Sequence, residues 1–169
     1  MRYVCEVPRC GLIVIGVKTS DNGLKIVTLN EGNVFHIYDD QAGFATIGVG
    51  HLLTADDKSS GKFVNGITVE QSLELLRHDI ASTEKAVDDL VRVPLTQNQF
   101  DALVDFTFNL GSGALQSSTL LKKLNAGDYA AVPAQMMKWN KVRNPKTKKL
   151  EVSRGITARR KRSADLWSL

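Results

Sequence analysis

The 169-residue chain is 43% hydrophobic and 24% charged, with a formal net charge of +4. That balance fits one globular domain, in one or two lobes, with a buried core. Its apolar run, Gly11 to Val17, is seven residues long, against about 20 needed to cross a bilayer, which excludes a spanning helix. The run is also poorly flanked for a signal peptide: Cys5, Glu6, Pro8 and Cys10 precede it and no small-residue cleavage site precedes Lys18, so the chain reads as made in the cytoplasm. Cys5 and Cys10, the only cysteines, have no histidine near them. They lack a metal ligand set and read as reduced thiols, a local disulfide or redox switch being the alternative. The charge is uneven. From Lys138 to Arg162 eleven lysines and arginines face one acid, Glu151, so this segment is +10 and the remainder −6. Such a dipole suits a polyanionic partner, nucleic acid or wall polymer, and equally a solvated basic face with no ligand.

In chain order, residues 1–20 show no periodicity and read as an N-terminal extension to a single domain, 21–169. Asp21 or Asn22 offers a cap for a short helix whose Leu24, Val27 and Glu31 share one face and which Gly32 stops. After Gly32 the apolar period drops from 3.6 to about 2. "FHIYDD" and "FATIGVG" read as strands joined by the turn "DQAG", with "KFV" at 62–64 as a third strand. Three short strands bury too little to stand alone and must lean on helices.

From Thr68 onward the pattern is helical. "TVEQ" and "TQNQ" have capping-box form, Thr68 with Gln71 and Thr96 with Gln99, and each opens an apolar series. The first predicts a long helix over about 69–91, and Gly111 ends the second. Further helices are expected over 118–125, stopped by Gly127; over 129–139, capped by Asp128; and over 154–167, capped by Ser153. "NKVRNPKTKKLEV" before the last helix reads as a turn-rich basic loop. The fold class is α+β and mainly helical. A small antiparallel sheet lobe, about 32–68, and a larger helical lobe, about 92–169, are joined by the long helix, with a cleft where the lobes meet.

Glu31 at a helix end and Asp40 in the turn are two carboxylates that could face one cleft. Glycoside hydrolysis needs such a pair: an acid to protonate the leaving oxygen and a carboxylate across the sugar to activate water or attack. Partial cover by the following sheet would suit Glu31 to the acid's part, while Asp40 on a more exposed turn stays ionised and Thr46 aims its hydroxyl at the same water. The spacing alone is common, and taken by itself it favours the plainer reading of a capping acid and a turn acid.

The stretch "NEGNVFHIYDDQAGFATIGVGHLLT" resembles the active-site stretch of the phage-type lysozymes, the endolysins of glycoside hydrolase family 24. Glu31-Gly32, Tyr38, Asp40, Gly43, Thr46-Ile47-Gly48, Gly50-His51 and Leu52-Leu53-Thr54 fall in register without gaps. "LTQNQFDALVDFTFNLGSGALQSSTLLKKLNAGDY" is similar to that family's C-terminal lobe, and "SRGITARRKRSADLW" to its closing helix. Coverage runs from about residue 22 to the end.

The resemblance implies a lysozyme-like fold and a muramidase. Glu31 would be the acid, with Asp40 and Thr46 holding the water, in an inverting cleavage between N-acetylmuramic acid and N-acetylglucosamine. Leu52, Phe108 and Ser118 match glycan-contacting positions, whereas Pro133 stands where the family has an asparagine contact. It implies that His51 pairs with Asp79 across the lobe junction as a structural bond. Arg159 and Arg160 on the last helix are both candidates to orient Glu31, and at least one of them reads as lying on a solvated face. His36 and His78 read as surface residues, and Trp139 and Trp167 as core. No metal or cofactor is called for.

The implied partner is bacterial peptidoglycan, reached by a monomer from the host cytoplasm through a holin-dependent route to the periplasm or wall at lysis, with no specific nucleic acid. Two other readings stand beside this one. A lytic transglycosylase would use the same acid without water and leave a 1,6-anhydro end. A basic polyanion-binding module would use the +10 segment, though Trp139 is that segment's only aromatic residue, too few for a stacking platform.

Overall fold

Capping residues and apolar periodicity resolve into eight α-helices and five strands among the described residues of the computed structural model, 17–40 and 42–169. Cys5, Cys10 and the apolar run as far as Gly16 lie outside the described residues. Helix α1, Asp21–Glu31, is capped by Ser20, whose Oγ accepts from the Gly23 amide at 3.1 Å. Asp21 and Asn22 therefore fall inside the helix rather than capping it: the extended backbone of Ser20 is what turns a side-chain oxygen back onto the free amides.

The last residues of the expected extension belong to the domain. Buried Glu84 accepts from the Thr19 amide at 2.7 Å and from the Lys18 ammonium at 2.9 Å, and the Ser20 amide donates to buried Asp101 at 3.1 Å. Burial pushes the Glu84 carboxyl up, but the Thr19 amide and the Lys18 ammonium outweigh it and hold the group below the usual glutamate value. A depressed folded value means that the stabilisation is present above the unfolded value, about 4.3, and is lost as pH falls through the folded one. Glu84→Gln should cost about 1–2 kcal/mol near neutral pH. In urea melts the gap from the parent should close below roughly pH 4, and a gap that does not change with pH would contradict the assignment.

Strands β1, Val34–Asp39, β2, Ala45–Gly48, and β3, His51–Leu52, form an antiparallel sheet in the order β1-β2-β3. The register shifts between Val34 and Tyr38, so β1 bends on its way to the turn that carries Asp40. Gly48 closes β2 at φ +64°, and a Cβ there would lie 3.0 Å from Ser72 Oγ, so backbone geometry and close approach both call for glycine.

The third strand is not at 62–64. Residues 55–60 form helix α2, Ala55–Ser60, opened by a Thr54–Asp57 capping box, and 62–64 lie in the turn beyond it. The apolar character of that segment comes from the core: Phe63 is buried with Ile47 and Leu53 in a small cluster under the sheet.

Helix α3, Val69–Leu90, joins this cluster to the main one: Leu75 packs against the small core, while Leu76, Ile80 and Val87 enter the large core. Both predicted capping boxes are present, the second opening α4, Gln97–Leu110, whose buried face runs from Phe100 to Thr107. Around α4 stand α5, Ser112–Ser117; α6, Thr119–Asn125; α7, Val132–Met137; and α8, Arg154–Trp167. Helix α5 is absent from the sequence expectation because its six residues carry a single buried apolar side chain, Leu115. The segment expected as one helix over 129–139 begins as a 3-10 turn, Tyr129–Ala131, and Pro133 sits in the first turn of α7, where its missing amide costs nothing. Trp167 is buried in the core and Trp139 packs against it.

The expected basic loop is a hairpin. Strands β4, Lys141–Arg143, and β5, Leu150–Val152, pair antiparallel, and the Asn144 and Thr147 side chains donate to the Glu151 carboxylate across the turn. Turn residues dominate its composition, and the two strands are only three residues each, too short for alternation to register. Overall the chain is an α+β, mainly helical protein with a small antiparallel sheet. No helix among the described residues is long and apolar enough to cross a membrane.

Candidate active site

Helix α1 stops at Glu31 because Gly32 adopts φ +84° and returns its amide to the Thr28 carbonyl. The Glu31 side chain is 28% exposed and meets the last helix: Arg159 Nη1 donates to its Oε1 at 2.6 Å. The other guanidinium nitrogen, Nη2, donates at 2.8 Å to Oδ1 of Asp105, which is wholly buried on α4. Asp105 also accepts from Ser163 Oγ at 2.6 Å and from Asn30 Nδ2 at 3.0 Å, and Asn30 Oδ1 takes Arg162 Nε at 2.7 Å. A carboxylate at the negative end of a helix dipole needs a compensating charge, and Arg159 supplies it. Because Asp105 shares that charge, the guanidinium acts on Glu31 mainly as a fixed hydrogen-bond donor that sets its direction. Among the described residues Glu31 Oε2 makes no hydrogen bond, so it is the oxygen free to face a ligand.

Of the two candidate arginines it is thus Arg159 that reaches Glu31. Arg160 turns the other way: Nε donates to the Trp139 carbonyl at 3.0 Å, Nη2 bonds Asn109, and the guanidinium lies 5.2 Å from the Phe106 ring. Neither is on a solvated face, since both are buried. Burial, then repulsion from Arg159, lowers the Arg160 pKa to about 10, which leaves it charged at neutral pH.

On the sheet side the backbone of one residue, Phe44, organises both remaining candidates. The Phe44 carbonyl accepts from Thr46 Oγ1 at 2.8 Å and from the Asp40 amide at 2.9 Å, and Asp40 Oδ1 accepts from the Phe44 and Ala42 amides at 2.8 Å each. These bonds fix the direction of the Asp40 side chain in the turn. Thr46 is almost completely buried in β2 and gives its proton to a carbonyl, so its oxygen can act toward a ligand only as an acceptor.

His51 Nδ1 lies 2.8 Å from Asp79 Oδ2 on α3 and Nε2 lies 3.7 Å from Asp57, so the ring links sheet to long helix. His36 and His78 are exposed. Leu52 is 54% exposed beside Thr46, its pairing partner, whereas Phe108 packs half-buried against the main core. Ser118 is buried with its hydroxyl committed to the fold: it caps α6 through the Leu121 amide and donates to the Leu115 carbonyl.

A separate cavity of about 580 Å³ lies between α1 and α3, lined by Leu24, Leu29, Val69 and Leu73 among others, and includes none of these polar residues. No cluster of three or more metal-ligating side chains occurs among the described residues. Asn30, Asp105 and Ser163 escaped the sequence reading. The available signal was in α4, where Asp101 and Asp105 sit one turn apart inside "FDALVDF", an otherwise apolar run that buries both.

The chain as a whole is similar to known proteins in sequence family and in fold. Residues 29–163 match the phage lysozyme family model. The chain is 41% identical over 125 residues to the endolysin of Salmonella phage P22, covering 74% of this chain and 85% of that one. Its fold is similar to the endolysin from Escherichia coli O157:H7 phage FAHEc1 (TM-score 0.77, 37% identity, 90% and 94% of the two chains). It is equally similar to the muramidase domain of SpmX from Asticaccaulis excentricus (TM-score 0.77, 31% identity, 89% and 97%). Because the family match runs from the start of the motif stretch into the closing helix, the chain belongs to the phage lysozyme family.

Proposed function

We propose that this phage lysozyme is a muramidase that hydrolyses the β-1,4 bond between N-acetylmuramic acid and N-acetylglucosamine in peptidoglycan, with inversion. The observation that carries this is the Glu31–Arg159–Asp105 chain, which fixes one carboxyl oxygen and leaves Oε2 without a hydrogen bond among the described residues. In its protonated form Glu31 gives its proton to the glycosidic oxygen, which departs as the 4-hydroxyl of N-acetylglucosamine. A water held by Thr46 Oγ1 and Asp40 loses a proton to Asp40 as its oxygen bonds to C1 from the opposite face. The inverted hemiacetal of N-acetylmuramic acid results.

Following the anomer of the first product by NMR, with mass analysis of the ends, tests the sequence of steps. The α-anomer is expected. A first-formed β-anomer would exclude inversion, and 1,6-anhydro ends would assign a transglycosylase instead. In this reading the enzyme is a monomer made in the host cytoplasm that reaches the wall by a holin-dependent route. Lysis of cells expressing it with and without a co-expressed holin tests that access.

A further inference from the structure

The hairpin β4–β5 is exposed along both strands. Its register sets Lys141 opposite Val152 and Arg143 opposite Leu150, so two cations and two aliphatic side chains share one face. Lys146, Lys148 and Lys149 occupy the turn. The hairpin's one acid, Glu151, is taken up internally by Asn144 and Thr147. Lys141, Lys146, Lys148 and Lys149 accordingly have no ion pair among the described residues. The base of the hairpin is fastened to α8: the Ser153 amide donates to the Asn140 carbonyl, Asn140 Nδ2 to Thr157 Oγ1, and Arg160 to the Trp139 carbonyl. These anchors flank Arg159 on the helix that holds Glu31.

We propose that this hairpin is a cationic arm that binds the free carboxylates of the peptide stems on peptidoglycan; the proposal rests on the muramidase reading and names the part of the substrate beyond the glycan. Four ammonium groups without an ion pair among the described residues, three on the turn and one on β4, are complementary to a polymer bearing carboxylates at repeated positions. Each exposed ion pair contributes little, but several engaged together on one polymer add up. A lipid surface fits less well, because the turn carries three lysines while Val142, Leu150 and Val152 lie on the strands behind it, so the tip has no aliphatic side chain to insert.

The test measures binding of the full chain carrying Glu31→Gln, so that the wall is not digested, to purified sacculi at low salt. Lys146→Gln, Lys148→Gln and Lys149→Gln together should weaken binding about tenfold. Lys25→Gln, Lys58→Gln and Lys122→Gln, an equal change of charge at exposed sites elsewhere, should weaken it less than about twofold. On glycan strands stripped of peptide by an amidase, the hairpin triple and its parent should bind alike.

Equal losses for the two triples, no loss for the hairpin triple, or the same loss on stripped glycan would each overturn the proposal. So would a loss confined to phosphatidylglycerol vesicles. Failure of the muramidase reading would show separately, as wall clearing that persists in Glu31→Gln.

Discussion

Glu31→Gln should lower the rate of clearing of purified walls by about 10²–10⁴-fold while leaving the fold intact. Glutamine keeps an oxygen at the place where Arg159 Nη1 donates, so helix α1 still meets α8, but the group has no proton to give a leaving oxygen at neutral pH. Circular dichroism and a thermal melt close to the parent, with turbidity clearing nearly abolished, are the expected pair of results. Clearing at the parent rate would sink the assignment of Glu31 as the acid. Loss of fold together with activity would instead make Glu31 mainly a structural partner of Arg159.

Asp105→Ala is the largest expected effect on stability. Asp105 is completely buried, and it balances Arg159, itself buried, while accepting from Ser163 and Asn30. Removing one member of such a pair leaves an uncompensated buried charge and typically costs about 3–5 kcal/mol. For a chain of this length that is a fall of roughly 10 °C in Tm. The surviving Glu31–Arg159 bond would lose its fixed anchor, so activity measured well below the melt should also drop. Asp105→Asn keeps the shape and one acceptor, and should fall between alanine and the parent in both measurements. An Asp105→Ala protein that melts with the parent would mean that Arg159 is adequately held by Glu31 and by the backbone carbonyl of Asp105, which accepts from its Nη2 at 3.4 Å.

Local rules account for much of what is legible in the order of residues alone. The Thr68–Gln71 and Thr96–Gln99 boxes, the Gly32 stop and the Ser153 cap involve groups within four residues of one another, and each is present. Where an apolar residue had two possible reasons to be apolar, the local rule failed. Phe63 looks like strand but is buried from a turn, and Lys141–Val152 looks like loop but pairs. Asp21 and Asn22 are as good capping residues as Ser20, and only the backbone conformation at Ser20 chose between them.

The amino-acid sequence by itself determined the family, the α+β class, most helix ends and the candidacy of Glu31, Asp40 and Thr46, because those depend on short-range pattern and gap-free motif order. Tertiary structure decided what holds them. Arg159 meets Glu31 across 128 positions and Asp105 across 54, and adjacent Arg159 and Arg160 differ only in which side of α8 they leave. No local signal separates two neighbouring arginines when both are buried. Their roles are set by whether a carboxylate or an aromatic ring and a carbonyl waits on the facing element, and that is decided only when the helices pack.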